Sequence, residues 1–181
     1  AWWQLPALPK INVGNAEARE HLLQAAEFWI RFGADGWRLD VPEEIDDESF
    51  WQEFRTRVRA INPEAYTVGE IWKRADAWLT GDRFDAVMNY PFASAAVQWV
   101  GNRARKITAS ELDSRLAELR LAYPDEATHA LMNLVDSHDT DRVSSMMRNP
   151  DRGFDQGNRA QDNAAYDGAK PREVDFRRQR L

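Results

Sequence analysis

The chain has 181 residues, of which 43% are hydrophobic and 30% charged, and it contains no cysteine. This is a globular composition with enough apolar material for a core, and the lack of cysteine excludes disulfides, thiolate metal sites and thiol nucleophiles. The net charge of −6 argues against binding to nucleic acids or anionic membranes, because neutralising phosphates requires a basic patch. No apolar run approaches the roughly 20 residues of a membrane span.

The first predicted element is a helix that follows an irregular segment, residues 1–14. Asn15 can cap this helix, and Gly33 can end it. Apolar residues recur at spacings of three and four, which predicts one buried stripe made of Leu22, Ala25, Ala26 and Trp29.

A strand over residues 35–41 comes next, and Asp46 or Asp47 can cap a second helix that ends at Asn62-Pro63. The apolar face of this helix consists of Trp51, Phe54, Val58 and Ile61. Trp37 alternates away from Asp40 on the strand, so we expect it to pack against helices.

Strand and helix signals continue to alternate along the rest of the chain. Strands are predicted over 65–70, 84–89 and 130–136, with helices over 92–102 and 109–122 and a helical or looped stretch at 73–80. The Gly-, Asn-, Asp- and Arg-rich composition of 149–171 predicts a long loop, either ordered or mobile, before a helix that starts near Pro171.

Three acidic residues, Asp40, Glu70 and Asp139, each close a β-prone run. Arg38 and Asp40 share one side of their strand, and a carboxylate held beside a guanidinium stays ionised, as a nucleophile requires. In parallel sheets and barrels, chemistry gathers at the carboxyl ends of strands from residues distant in sequence. The pattern predicts an active site, although a cap or ion pair would explain any one of these carboxylates alone.

Four motifs in order make the chain resemble the α-amylase family of retaining glycoside hydrolases. GWRLDV at 36–41 resembles the strand-four motif with its nucleophile, VGEIW at 68–72 the strand-five motif with its acid/base, and SHDT at 137–140 the strand-seven motif. LPKIN at 8–12 is similar to a signature near the end of domain B in the neopullulanase and cyclomaltodextrinase branch.

The resemblance implies an α/β fold, namely a fragment of a (β/α)8 TIM barrel that covers roughly strands four to seven and their helices. A complete barrel needs about 250 residues, and the family's strand-three motif and strand eight are not in this sequence. The implied layout is the end of domain B or a loop at 1–14, a partial catalytic barrel at 15–148, and a rim loop with the start of the next barrel helix at 149–181.

The implied function is hydrolysis of α-1,4 glucosidic bonds in starch-like, malto- or cyclodextrin substrates by retaining double displacement, and hydrolysis of α-1,6 bonds stays open. Asp40 would be the nucleophile, Glu70 the acid/base, and Asp139 would bind sugar hydroxyls and stabilise the transition state. Glu70 must hold its proton, so we expect it in a more enclosed and less cationic setting than Asp40. A transglycosylase or isomerase related to trehalose synthase, and a non-catalytic sugar-binding relative, stay open as alternatives.

Several further residues are expected to bind substrate. Arg38 would orient Asp40, and His138 would hydrogen-bond a sugar hydroxyl at the cleavage site. The other expected contacts are Glu44, Trp72, Asn89 and Tyr90. The family branch typically has Val-Ala-Asn-Glu where this chain has VPEE at 41–44, so Glu44 matches while its two predecessors do not.

A metal site is a weaker interpretation of the segment around Asp136, His138, Asp139 and Asp141, because no second histidine cluster exists. The resemblance implies no organic cofactor. Some relatives bind structural calcium, which stays open here, although the sequence shows no aspartate-rich calcium loop. The expected partner is an α-glucan oligosaccharide or polysaccharide, and a homodimer of a longer parent protein stays open. No signal peptide is visible; the location is unknown, with a slight lean towards the cytoplasm.

Overall fold

The computed structural model of the chain describes residues 1–101 and 105–148. The loop predicted at 149–171, the helix predicted near Pro171 and the third segment of the expected layout, 149–181, lie outside the described residues. No helix in the described part of the chain is long and apolar enough to cross a membrane.

A four-stranded sheet organises the described residues, and its strands follow one another in chain order. The strands are β1 (Gly36–Leu39), β2 (Tyr66–Gly69), β3 (Ala86–Asn89) and β4 (Met132–Asn133). β1 pairs with β2, and β2 with β3, both in parallel. The predicted α/β fold with a parallel sheet is therefore confirmed.

The chain divides into two compact units. The first comprises Ala1–Ile71, Ala75–Met88 and Tyr123–Met132. The second comprises Trp72–Arg74, Asn89–Ala122 and Asn133–Leu181, of which the structure describes residues up to 148 apart from 102–104.

In the first unit, helix α1 (Ala16–Phe32) begins and ends where the sequence predicts. The side chain of Asn15 accepts a 2.9 Å hydrogen bond from the Ala18 N–H, and Gly33 ends the helix in the left-handed conformation, with φ of 113°. The predicted stripe is largely wrong, because the buried residues are Leu23, Ala26 and Ile30. Of the four residues predicted, Ala26 is buried, Leu22 is half-buried, and Ala25 and Trp29 are exposed.

Helix α2 (Glu48–Ile61) packs against α1 in the same unit. Asp47 caps it by accepting a 3.0 Å hydrogen bond from the Phe50 N–H, and the buried face consists of Phe50, Trp51, Phe54 and Val58. Arg57 of α2 donates hydrogen bonds to Glu20 and Glu27 of α1. These bonds from Arg57, together with one from Gln24, lower the pKa of Glu20 to about 2.

Trp37 and Gly36 fix β1 against its neighbours. The Trp37 indole donates to the Ala26 carbonyl at 3.3 Å and meets the Phe54 ring edge-on, which confirms that it packs against helices. A Cβ on Gly36 would lie 1.9 Å from the Tyr66 carbonyl oxygen, so this position accepts only glycine.

Asp85 ties the beginnings of β2 and β3 to α2. Its carboxylate accepts hydrogen bonds from the Thr67 N–H and hydroxyl at 2.8 and 2.9 Å, and from Arg55 and Arg59, both at 2.8 Å. Burial raises the pKa of Asp85, but the bonds from Thr67 and Arg55 outweigh this effect and leave the pKa lowered.

The second unit contains helices α3 (Tyr90–Val100) and α4 (Ala109–Ala122), which pack against each other. The bounds of α4 are those predicted, and α3 begins two residues earlier than predicted because Asn89 caps it. The Arg115 guanidinium donates to the Gln98 side chain at 3.1 Å and links the two helices.

The strand predicted over 130–136 is wrong in extent, since β4 has only two residues. A short helix α5 (Asp125–Ala130) precedes β4 in the first unit, and α6 (Val143–Arg148) follows it in the second. Asp136 does not belong to a strand; its carboxylate accepts a 2.7 Å hydrogen bond from the Val143 N–H at the start of α6.

Candidate active site

Asp40 and Arg38 stand at the carboxyl end of β1 and interact directly. An Arg38 NH1 proton is donated to Oδ1 of Asp40, as the alternation of side chains along the strand predicts. The Asp40 side chain is 66% exposed, so it is accessible to a substrate. The guanidinium both neutralises and orients this carboxylate.

Glu70 follows β2 directly, next to Asp40 in the sheet order, and is only 2% exposed. The expectation that Glu70 is the more enclosed of the two acids is confirmed. The expectation of a less cationic setting stays a prediction, because Arg38 contacts both acids: NH1 pairs with Asp40, and NH2 lies 3.0 Å from Oε2 of Glu70. This ion pair is close in distance but is not aligned as a hydrogen bond, since NH2 lacks a partner of hydrogen-bond geometry.

Val41, directly after Asp40, adopts a left-handed backbone with φ of 35° and ψ of 58°. Its N–H donates to Oε2 of Glu70 at 3.2 Å. The main chain beside one candidate catalytic carboxylate therefore contacts the other. Sequence reasoning missed Val41, and no signal could have found it, because a β-branched residue rarely adopts this conformation.

Glu44 lies in a short 3-10 turn, Pro42–Glu44, that leads away from β1. Lys10, from the LPKIN segment, donates to the Glu44 carbonyl at 2.6 Å and lies 3.4 Å from its carboxylate. Two motifs that the sequence singles out are thus joined by one lysine. The role of Glu44 in substrate binding stays a prediction.

Trp72 and Tyr90 lie in the second unit and stack on each other. Their ring centroids are 3.9 Å apart and their planes differ by 4°. Tyr90 is buried, and its hydroxyl lies 3.0 Å from Oγ of Ser137. One face of each predicted sugar-contacting ring is therefore covered by the other ring.

Asn89 ends β3 and is also buried, with both ends of its amide engaged. Its oxygen accepts from the Phe92 N–H at 3.2 Å and caps α3, and its nitrogen donates to Asn133 at 2.8 Å. The sequence carried a signal for this cap, because asparagine followed closely by Pro91 is typical of a helix start.

Asp139 sits in a turn that its own motif builds. Oγ of Ser137 accepts from the Asp139 N–H at 3.1 Å, and the Ser137 N–H donates to Oγ1 of Thr140 at 2.9 Å. Nε2 of His138 lies 3.2 Å from the Asp139 carboxylate, and the imidazole is largely exposed. SHDT is therefore a hydrogen-bonded turn that presents an acid and a histidine together.

Asp136 is not available as a ligand in the metal interpretation of this segment. Arg142 and the Val143 N–H occupy the two carboxylate oxygens of Asp136. Within residues 1–101 and 105–148, no group of three or more histidine or carboxylate side chains is arranged to hold a metal ion.

The predicted site residues thus form one set in each unit. The first unit joins Asp40 and Glu70 through Arg38 and places Glu44 on the adjoining turn. The second unit holds Trp72, Asn89, Tyr90, His138 and Asp139. The supporting residues that sequence reasoning did not single out are Lys10, Val41, Asn133 and Ser137; Lys10, Val41 and Ser137 lie in motifs recognised from the sequence, and Asn133 does not.

The family model of the alpha amylase catalytic domain matches residues 3–164. Neopullulanase 2 of Thermoactinomyces vulgaris is 47% identical over 139 residues, which are 77% of this chain and 23% of that protein. The cyclomaltodextrinase of Geobacillus thermopakistaniensis is also 47% identical, over 140 residues, with the same two coverages. The chain therefore spans about a quarter of the length of these relatives.

Solved structures resemble the chain in the same way. A protein of Thermus thermophilus superposes with a TM-score of 0.78 at 52% identity, over 82% of this chain and 34% of that one. The acarbose-soaked debranching enzyme of Nostoc punctiforme superposes with a TM-score of 0.74 at 42% identity, over 80% of this chain and 34% of that one. The chain belongs to the α-amylase family, and its parallel sheet and flanking helices are part of that family's catalytic barrel.

Proposed function

We propose that this chain contributes the catalytic carboxylates of a retaining α-glucan hydrolase. Asp40 is the nucleophile and Glu70 the acid/base in this proposal. The observation that carries it is the shared contact of Arg38, which pairs with Asp40 through NH1 and lies 3.0 Å from Glu70 through NH2. One guanidinium thereby holds two carboxyl groups at the ends of adjacent parallel strands, where barrel enzymes place their chemistry.

The first chemical step uses the two carboxyl groups in different forms. A carboxylate oxygen of Asp40 bonds to the anomeric carbon while the bond to the leaving oxygen breaks, and Glu70 gives its proton to that oxygen. The exposure of Asp40 suits attack on an incoming sugar, and the burial of Glu70 favours a protonated carboxyl group.

The second step returns the enzyme to its starting state. Glu70, now ionised, takes a proton from water, whose oxygen attacks the anomeric carbon and releases Asp40. Two inversions retain the anomeric configuration. No redox partner or organic cofactor is required by this sequence of steps.

The roles of Asp139 and His138 are proposed from the SHDT motif in which they lie. We assign Asp139 to binding of sugar hydroxyls in the transition state and His138 to a hydroxyl at the cleavage site. We propose that the substrate also contacts Glu44, Trp72, Asn89 and Tyr90. Because Asn89 and Tyr90 are buried, they also support the structure of the site.

The proposed substrates follow from the relatives. The proteins similar to this chain include a neopullulanase, cyclomaltodextrinases and maltogenic amylases, at 40 to 47% identity. Their names point to cyclic and linear α-glucans as substrates. We propose α-1,4 bonds as the main target of the longer protein and α-1,6 bonds as a second.

The test uses the longer protein that carries this chain, with maltotriose as substrate. Glucose and maltose as the only products, released first as α-anomers, would support retaining hydrolysis. Longer or rearranged sugars would instead show transfer. Asp40→Asn should lower kcat by several orders of magnitude while leaving sugar binding largely intact, and near-normal turnover in that variant would contradict the nucleophile assignment.

A further inference from the structure

We propose that Ser137 is a positioning residue that holds the main chain at Asp139, and that the Tyr90 hydroxyl in turn holds Ser137. The inference rests on the proposed function, because it matters only if Asp139 binds the sugar in the transition state. Neither hydroxyl has to touch the sugar for this role.

The Ser137 hydroxyl contacts two groups at once. Its oxygen accepts a hydrogen bond from the Asp139 N–H at 3.1 Å, and the Tyr90 hydroxyl oxygen lies 3.0 Å from the same atom. A serine hydroxyl can accept two hydrogen bonds and donate one, so both contacts form together whichever hydroxyl donates between the two side chains. One oxygen therefore joins the first residue of α3 to Asp139.

The link between the two hydroxyls is buried. Tyr90 is 3% exposed and Ser137 9% exposed, so water cannot readily replace either hydroxyl if it is removed. The Tyr90 ring stacks on Trp72 with their planes 4° apart, and this stacking limits where the phenol oxygen can lie. The aromatic pair therefore sets the position at which Ser137 is held.

The segment that carries the SHDT turn is also tied to the end of β3 at a second point. Asn89, the last residue of β3, donates to the Asn133 side chain at 2.8 Å. Within the turn, the Ser137 N–H donates to Oγ1 of Thr140 at 2.9 Å. The Ser137 hydroxyl holds the main chain of Asp139 rather than its carboxylate, so it acts whatever else the carboxylate binds.

Two substitutions in the longer protein remove the two hydroxyls separately. Ser137→Ala removes one, and Tyr90→Phe removes the other while keeping the ring that stacks on Trp72. The readouts are kcat and KM on maltotriose and the inhibition constant of acarbose, whose terminal ring is flattened like the transition state. A displaced Asp139 weakens binding of the transition state more than binding of the substrate, so kcat and acarbose affinity should fall together.

The expected loss has a defined pattern. Ser137→Ala should lower kcat/KM by about tenfold and raise the acarbose inhibition constant by the same factor, with KM within about twofold. Tyr90→Phe should show the same pattern with a loss of about fivefold. The double variant should lose no more than Ser137→Ala alone, because both hydroxyls act through one oxygen, whereas independent effects would multiply.

Two substitutions serve as matched controls. Ser94→Ala removes a serine hydroxyl of the same unit that accepts a 2.7 Å hydrogen bond from the Gln98 side chain. Tyr123→Phe removes a buried tyrosine hydroxyl that accepts a 3.1 Å hydrogen bond from the Ala75 N–H. Either control can lower the midpoint of thermal unfolding, but kcat/KM and acarbose affinity should stay within about twofold of the unmodified protein.

Three results would overturn the inference: multiplied losses in the double variant, a rise in KM without a fall in kcat, or no change in either single variant. If Ser137→Ala does not fold, the comparison of Tyr90→Phe with Tyr123→Phe decides alone. A fall in kcat and acarbose affinity at constant KM, in the first variant only, supports the inference, and any other result refutes it.

Asp139→Asn separates this failure from a failure of the proposed function. That variant must itself lower kcat/KM by about 100-fold or more and weaken acarbose binding. If it does and Ser137→Ala does not, only the role of Ser137 is refuted. If Asp139→Asn keeps its activity, Asp139 does not bind the transition state.

Discussion

The NH2 nitrogen of Arg38 lies 3.0 Å from Oε2 of Glu70, although Arg38 belongs to the strand that carries Asp40. Since NH1 pairs with Asp40, one side chain serves both carboxyl groups. We expect Arg38→Lys to lower kcat/KM on maltotriose by about 100-fold, because a single ammonium cannot reproduce the planar fork that reaches two acids. Steady-state kinetics of the longer protein would measure this loss.

The control for this substitution is Arg31→Lys. Arg31 is exposed and pairs with Glu27 one helical turn away, an interaction worth only a few tenths of a kcal/mol, roughly 0.3 to 0.5. Its kinetics should be those of the unmodified protein. A loss of less than about threefold in Arg38→Lys would show that no shared guanidinium is needed.

Asp85 gives a prediction for acid stability. Its pKa is lowered in the folded state, so its contribution is fully present above the unfolded pKa of about 3.9 and is lost as the pH falls through the folded value. Asp85→Asn should destabilise the protein by about 2 kcal/mol at pH 7, because it leaves the Arg55 guanidinium poorly paired. Urea unfolding followed by tryptophan fluorescence, from pH 7 to pH 3, would measure both effects.

Asp113→Asn serves as the comparison, since Asp113 is highly exposed and lies 3.8 Å from Arg120. We expect a change within about 0.5 kcal/mol there. If Asp85→Asn were equally mild, or if its stability fell with acid as steeply as that of the unmodified protein, the network around Asp85 would not be stabilising.

Gly36 gives a prediction about sheet pairing. An added Cβ would lie 1.9 Å from the Tyr66 carbonyl oxygen, which is backbone and cannot rotate away. Gly36→Ala should therefore separate β1 from β2 at this point and destabilise the protein by about 3 kcal/mol or more. The midpoint of thermal unfolding would report the loss, and a midpoint unchanged from the parent would contradict the close approach.

Gly14→Ala is the matched substitution, because the added Cβ would meet only the Asn12 side chain, at 3.1 Å. A flexible side-chain end moves at little cost, so the thermal midpoint should shift by no more than about 2 °C.

The isolated chain should be inactive and prone to self-association. Phe28, Trp29 and Phe32 form a contiguous exposed aromatic patch on α1, and among the described residues β1 pairs only with β2. Exposed apolar patches and unpaired strand edges both promote association. We expect no measurable maltotriose hydrolysis from purified residues 1–181, and robust activity would contradict this expectation.

Light scattering can test the patch itself. Phe32 is 75% exposed within the patch, whereas Leu121, on α4, is 87% exposed and is not one of the patch residues. Phe32→Ser should reduce association of the isolated chain, and Leu121→Ser should change it little. Equal effects of the two substitutions would mean that total apolar exposure, not the patch, drives association.

Capping residues made the helix bounds predictable. Asn15, Gly33, Asp47 and Asn62 act where the sequence indicates, because each signal depends on local hydrogen bonding. The buried side of α1 was not predictable in the same way. Two apolar stripes that are offset by one residue have the same spacing, so periodicity cannot tell which of them is buried. Contact with the rest of the unit buries the stripe that contains Leu23 and Ile30.

The site divides similarly into predictable and unpredictable parts. The contact between Arg38 and Asp40 follows from strand alternation alone. The approach of Arg38 to Glu70 depends on the register between two strands, and the left-handed backbone of Val41 depends on the turn that follows it. β4 is shorter than predicted because the Asp136 carboxylate instead accepts a hydrogen bond from the Val143 N–H at the start of α6.

The lysine that joins the LPKIN segment to the turn after β1 has a consequence for protein engineering. Lys10 holds Glu44 across 34 positions of sequence, so the two segments behave as one transplantable module. A graft that moves the VPEE turn into a homologous scaffold without its lysine would remove this link from the recipient loop. Chimeras between relatives should therefore exchange both pieces together.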